Sequence, residues 1–152
     1  MDYQGAHINV AIKRVDGSLP LPSYKTEGSV AVDLYAREAM IIEPHQVVLV
    51  PANIIVKTPP GYFFMIISRS STPLKKGLML ANGVGIVDQD YCGEDDEIKL
   101  QLVNLGPKPV EIGRGERLAQ GMFVRIDRVR WDEVDTMGVA ESRGGFGTTG
   151  NY

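Results

Sequence analysis

Asp88-Gln89-Asp90-Tyr91 sets two carboxylates two residues apart beside an aromatic ring, directly after the apolar pair Ile86-Val87. On an extended segment both carboxylates would face the same way. One could act as a general base while the other fixes it or binds a nearby cation. The same residues also suit an ordinary turn, where aspartate is favoured. Ser68-Arg69-Ser70-Ser71-Thr72 follows the apolar run 62–67. Its arginine offers a fork to phosphate, and the flanking hydroxyls add donors; the alternative is a plain polar loop. The glycine–lysine–hydroxyl spacing of a P-loop is absent.

Asp33 lies within Val30-Ala31-Val32-Asp33-Leu34-Tyr35-Ala36. A carboxylate in an apolar run is costly unless it is paired, hydrogen-bonded or near a metal. Gln120 follows Gly115-Glu116-Arg117-Leu118-Ala119 and could contact a ligand or face solvent. The chain closes on Arg143-Gly144-Gly145-Phe146-Gly147-Thr148-Thr149-Gly150-Asn151-Tyr152. Glycine loses too much backbone entropy for such a run to form a packed element. Yet the tail holds an arginine for anions, a ring for stacking, and hydroxyls with bare N–H groups for phosphate oxygens. Taken alone it reads as a disordered terminus or as a clamp over a ligand.

Other chemistry is not encoded. His7 and His45 are far apart in sequence, and Cys92 has no histidine or cysteine near it, so no zinc spacing exists. No Gly-x-Ser-x-Gly elbow occurs. A single cysteine cannot form an internal disulfide and fits a reducing compartment. The net charge of −3 implies no general affinity for nucleic acid. No stretch approaches the roughly 20 apolar residues of a membrane-spanning helix. The segment Met1–Gly5 lacks the basic-then-apolar pattern of a secretory signal, so the expectation is a cytoplasmic protein.

The elements that must position these residues are strands. A chain of 152 residues that is 43% hydrophobic fits one domain with a real core. Ile98, Leu100 and Leu102 alternate with Glu97, Lys99, Gln101 and Val103, Ile8, Val10 and Ile12 with Asn9, Ala11 and Lys13, and Met122, Val124 and Ile126 with Phe123, Arg125 and Asp127. This period of two marks half-buried antiparallel strands, with the first-named residues of each set expected to face the core. Shorter apolar runs lie at 47–50, 54–56, 62–67 and 84–87, separated by turn signals such as Pro59-Pro60-Gly61, Asn82-Gly83 and Gly113-Arg114-Gly115. The pattern predicts an all-β sandwich, jelly roll or barrel with at most one short helical turn near Thr72–Gly77. The strand pattern fades from about residue 131, which predicts a β domain over 1–130 and a C-terminal arm with the glycine-rich tail over 131–152.

Together the clusters resemble the trimeric dUTP diphosphatase (dUTPase) family, which carries five short motifs in fixed order. Here they look like Ala31–Ala36, Ser68–Ser71, Asn82–Gly93, Gly115–Gln120 and Arg143–Gly150. The resemblance implies a distorted jelly-roll protomer and a homotrimer with active sites at subunit interfaces. It implies Mg²⁺-dependent hydrolysis of dUTP to dUMP and pyrophosphate, which limits uracil in DNA and supplies dUMP for thymidylate synthesis.

The residue roles it implies run motif by motif. Asp88 would be the general base that orients water on the α-phosphorus. Asn82 and the backbone of Gly85, Ile86 and Val87 would read the uracil edge, with a further backbone contact near Lys99. Tyr91 would pack under the deoxyribose and exclude a 2′-hydroxyl. Arg69, Ser70, Ser71 and Gln120 would hold phosphates. Asp33 would reach the water shell of the metal or the subunit interface. Arg143 would grip the γ-phosphate, helped by Gly147 and Thr148, and Phe146 would cover the base from a neighbouring subunit.

Four departures from the family pattern stand out. Ser71 replaces a usual glycine, and Ala31-Val32 replaces a frequent glycine–aromatic pair. The stretch from Tyr91 to Asn104 is about three residues longer than in many members and includes the acidic Gly93-Glu94-Asp95-Asp96-Glu97. Arg143 stands three residues before Phe146 rather than five. The nearest rival is dCTP deaminase, or a bifunctional deaminase of the same fold. It shares an Arg-Ser-Ser segment but uses a glutamate and lacks the aromatic glycine tail. A nucleotide-sensing trimer without catalysis is the second rival.

Overall fold

Short apolar runs cut by glycine and proline build short strands, and here they do so almost without helix. The computed structural model describes residues 7–139 and 141–145. In chain order the strands are β1 (Ala11–Arg14), β2 (Val32–Tyr35), β3 (Met40–Ile42), β4 (Val47–Pro51), β5 (Ile54–Lys57) and β6 (Tyr62–Ser68). Among the described residues one helix forms, α1 (Ser71–Lys76), and it precedes β7 (Leu78–Leu80), β8 (Gly85–Val87), β9 (Lys99–Asn104), β10 (Val110–Ile112) and β11 (Arg117–Arg125). The helix stops at Gly77, whose φ of 66° is the left-handed conformation that glycine adopts at low cost and whose N–H donates to the Pro73 carbonyl.

Every strand pair is antiparallel. The order is β2-β11-β6-β8 in the largest sheet and β4-β9-β7 in the next, with two-stranded ladders β1-β5 and β10-β3. These small sheets wrap one core in the all-β architecture expected. Leu34, Ile42, Val50, Phe64, Leu78, Leu80, Ile98, Leu100, Leu102, Ile112 and Leu118 lie fully buried in it. The alternation over 98–102 thus faces the core as predicted.

Two other alternations behave differently. In β11 it is Ala119, Gly121 and Phe123 that meet the core side of the sheet. The Phe64 ring presses on Gly121, where an added Cβ would sit 2.2 Å from ring carbon Cζ, and it packs on Phe123 with centroids 4.8 Å apart. Met122 and Val124 therefore turn to the opposite face beside their partners Met65 and Phe63. In the N-terminal segment the strand starts only at Ala11, and all four of its residues are exposed. A strand at the rim of a two-stranded ladder has no second layer to bury a face.

The outer face of the β2-β11-β6-β8 sheet is consequently apolar too. Phe63, Met65, Ile67, Met122 and Val124 are half-buried there, and Ile86 is 66% exposed. Among the described residues beyond β11 no helix or strand forms, and Trp131, Met137 and Val139 are each more than three-quarters exposed.

Candidate active site

Asp33 in β2 organises one half of the site. Its carboxylate is buried, and each oxygen takes an arginine: Arg69 Nε lies 2.8 Å from Oδ1 and Arg117 Nη1 lies 2.9 Å from Oδ2. Arg69 also donates to the Arg117 carbonyl at 3.2 Å. A buried carboxylate needs such partners, and two guanidiniums on one carboxylate leave a net positive patch. Gln120 pairs with Asp33 across β2 and with Ile67 across β6, which puts its amide on the same outer face. Its Nε2 donates to the Ser68 carbonyl. A bulge in β11 between Arg117 and Ala119 lets both Arg117 and Gln120 approach this corner.

Ser70 and Ser71 complete the corner. Ser70 is exposed immediately before α1, with its hydroxyl free of any capping bond, and Ser71 is the first helical residue. Thr72 Oγ1 ties the helix to the Leu118 carbonyl at 2.9 Å, which fixes the Ser70–Ser71 backbone against β11.

The second half lies at the other end of β6. Val87 pairs with Phe64, and Gln89 Nε2 donates to the Tyr62 carbonyl at 3.0 Å. Asp88 and Asp90 are exposed and share a hollow of about 510 Å³ with Gln89, Tyr62, Phe63, Ile126 and Arg128. The backbone turns at Gln89-Asp90 rather than staying extended, so the turn and not strand alternation sets both carboxylates on one hollow. Among the described residues no ion pair or hydrogen bond occupies Asp88, which leaves it open to water.

Asn82 lies in the turn between β7 and β8 and is exposed, as is Ile86; Gly85 is half-buried and Val87 buried. Gly83, at φ 70°, adopts the left-handed conformation this turn needs. Tyr91 is 41% exposed and its hydroxyl donates to the Glu97 carbonyl at 3.3 Å. Lys99 is exposed at the start of β9, two residues beyond that carbonyl.

Arg143 is exposed. Phe146, Gly147 and Thr148 lie outside the described residues. Arg117 was not singled out from the sequence; its distance of 84 residues from Asp33 hides the pairing. Arg37 and Glu97 were missed for the same reason. Arg37 donates from Nε and Nη2 to the two Glu97 oxygens at 2.8 and 3.0 Å. That fork holds the Arg37 guanidinium above the ordinary arginine range.

The architecture is a small all-β domain whose largest sheet carries a basic, hydroxyl-rich corner at one end and a pair of open carboxylates at the other. A family model described as dUTPase matches residues 18–150, and the chain belongs to the dUTPase family. It is 39% identical over 149 residues to the deoxyuridine 5′-triphosphate nucleotidohydrolase of Orientia tsutsugamushi (strain Boryong), covering 94% of this chain and 99% of that one. Identity to the deoxyuridine 5′-triphosphate nucleotidohydrolase of Corynebacterium diphtheriae is 42% over 144 residues, covering 93% and 92%. The crystal structure of dUTPase from Streptococcus mutans superposes with a TM-score of 0.72 at 29% identity, over 79% of this chain and 98% of that one.

Proposed function

We propose that the chain hydrolyses dUTP to dUMP and pyrophosphate, with Asp88 activating the attacking water. The observation that carries the reading is the open Asp88 carboxylate at the end of the Asn82–Val87 segment, within a chain of this family. From Gly85 to Asp88 is three residues, about 10 Å of extended chain. That is the span of a deoxynucleoside from its base edge to its α-phosphate. Backbone groups along β8 can therefore read the base while Asp88 reaches a water in line with the α-phosphorus. Removing one proton from water as it attacks contributes about 10²–10⁴-fold.

The remainder of the work is charge neutralisation and positioning. Arg69, Arg117, Ser70, Ser71 and Gln120 supply donors for phosphate oxygens. Asp33 aims the two arginines rather than standing free. A Mg²⁺ ion suits this donor set only through the substrate. Among the described residues no group of three or more His, Cys, Asp or Glu side chains could hold a metal, and both Asp33 oxygens carry arginines. Bound by triphosphate oxygens and water, the ion would neutralise phosphate charge. Water molecules shared with Asp88 or Asp90, or with the remaining Asp33 lone pairs, are the protein's route to it.

We infer further that the site is assembled from several copies of the chain, as a homotrimer. Three observations support this. On one protomer Asp88 follows Val87, which pairs with Phe64 near the start of β6, whereas Arg69 follows Ser68 at its end. The outer sheet face between them is apolar, which suits burial against a partner. The segment beyond Arg125 carries the exposed apolar side chains of Trp131, Met137 and Val139. On this reading residues 131–152 form an arm and lid distinct from the domain of residues 1–130. Arg143, Phe146, Gly147 and Thr148 close over a neighbour's substrate, and closure excludes water and strengthens each charge contact.

The test is a nucleotide panel of dUTP, dTTP, dCTP and UTP with pyrophosphate readout and a Mg²⁺ titration. Pyrophosphate from dUTP alone, dependent on Mg²⁺, is expected. Ammonia release from dCTP without pyrophosphate would transfer the chain to deaminase chemistry.

A further inference from the structure

The longer acidic segment after Tyr91 is a built structure rather than a loose loop. Gly93 N–H donates to Asp96 Oδ2 at 2.6 Å, and Asp96 N–H returns to the Gly93 carbonyl at 3.1 Å, closing a tight turn. Lys13 on β1 pairs with Glu94. The segment ends at Glu97, which is 8% exposed although charged. Its carboxylate accepts the Arg37 fork and, on Oε1, the Asn53 N–H at 2.9 Å. Asn53 is itself fixed in the left-handed conformation at φ 67° and exchanges hydrogen bonds with Asp16.

Glu97 therefore anchors the chain between two positions that matter. Its side chain is bolted to Arg37 and Asn53, and its carbonyl accepts the Tyr91 hydroxyl. Ile98, the next residue, is locked on both sides, donating to the Ile54 carbonyl and accepting from Ala52 N–H. The carbonyl of Glu97 thus has little freedom to move.

We propose that Arg37 and Glu97 are positioning residues that set the ring of Tyr91, and with it the discrimination between deoxyribose and ribose. The inference rests on the dUTP reading above and on Tyr91 as the wall under the sugar. A steric wall selects only if it cannot yield, so a ring tethered at its far end excludes a 2′-hydroxyl better than one that swings. The tether runs from Arg37 through the Glu97 backbone to the Tyr91 hydroxyl. The acidic residues from Gly93 to Glu97 are tied off by their own turn and by Lys13, so they do not slacken it.

The experiment measures kcat/KM for dUTP and for UTP in the full chain, in Tyr91→Phe, Glu97→Gln, their double variant and Tyr91→Ala. Tyr91→Phe keeps the ring and cuts the link. Glu97→Gln keeps an acceptor for Asn53 and weakens the Arg37 fork. Each should lower the dUTP-to-UTP ratio about fivefold, the size of one ordinary net hydrogen bond. The double variant should lower it no further than either single change, because both act on one link. If Glu97→Gln does not fold, Arg37→Lys keeps the charge, loses the fork and should give the same loss of selectivity. A ratio unchanged in Glu97→Gln, or effects that multiply in the double variant, would overturn the proposal while leaving dUTP hydrolysis standing. An unchanged ratio in Tyr91→Ala would overturn it at its base. Absence of dUTP turnover in the parent chain would instead sink the proposed function.

Discussion

Asp88 and Arg69 serve opposite ends of the same strand. Val87, the residue before Asp88, pairs with Phe64, whereas Arg69 follows directly on Ser68 at the far end of β6. Five residues of extended chain separate those levels, about 17 Å. Arg69 is moreover turned onto Asp33. A water held by Asp88 and phosphate oxygens held by Arg69 of the same protomer would belong to different sites, as expected if a working site draws on more than one copy of the chain.

The role of Asp88 predicts a split between rate and binding. Asp88→Asn keeps the shape of the hollow and removes the proton acceptor. It should lower kcat by about 10³-fold with KM within a few-fold of the parent, since the lost interaction belongs to the transition state. Steady-state pyrophosphate release measures this. An equal loss in kcat and gain in KM would assign Asp88 to substrate binding.

Asp33 predicts a coupled effect on two arginines. Asp33→Asn leaves Arg69 and Arg117 without their shared counter-charge, so both should lose their aim. kcat/KM for dUTP should fall by about 10–100-fold, and the folded chain should be destabilised by about 3 kcal/mol because a buried pair has been broken on one side. Arg117→Ala should lower kcat/KM in the same direction. In Asp33→Asn the further cost of Arg117→Ala should be small, which a double-mutant cycle checks.

The arm predicts activity loss without unfolding. Residues 127–139 and 141–144 are exposed throughout, so the domain does not depend on them for its core. Truncation after Ser142 should leave the melting temperature within a degree or two while kcat falls at least about 100-fold, the scale of a lost closure step. A truncated chain that turns over at the parent rate would remove the lid from the mechanism.

Asp16 predicts a pH dependence with a definite sign. Hydrogen bonds from Ser18, and then from Arg114, hold its carboxyl well below the usual carboxylate range. A carboxyl lowered on folding stabilises above its unfolded value of about 3.9 and loses that contribution as pH falls through the folded value. Asp16→Asn should therefore melt slightly below the parent at pH 7, and the gap should narrow steadily as pH drops below about 4. Thermal melts from pH 7 to pH 2.5 decide it, and a gap that widens in acid is the opposite of what is expected.

Much of this was legible from residue order. The runs 47–50, 54–56, 62–67 and 84–87 became β4, β5, β6 and β8, and the short helix formed where a single turn was expected. The strands β3, β7 and β10 are three residues each, too short for any period to show. The inward face of β11 was misread because Gly121 looks like a gap in the pattern, whereas its missing side chain is what seats Phe64. Asp33 was recognisable as a carboxylate in need of partners. That Arg117 is one of them, and that Arg37 binds Glu97 across 60 residues, depends on strand register, which local sequence does not carry.

If Asp88 and Arg69 of one working site come from different chains, mixed oligomers of two variants will regain activity. Chains carrying Asp88→Asn and chains carrying Arg69→Ala are each nearly inactive alone on this account. Unfolded together at equal amounts and refolded, they should regain about a quarter of parent turnover, the chance that neighbours in a closed ring contribute one intact residue each. Activity no higher than the sum of the two separate variants would contradict the shared site and place both residues in the same protomer's machinery.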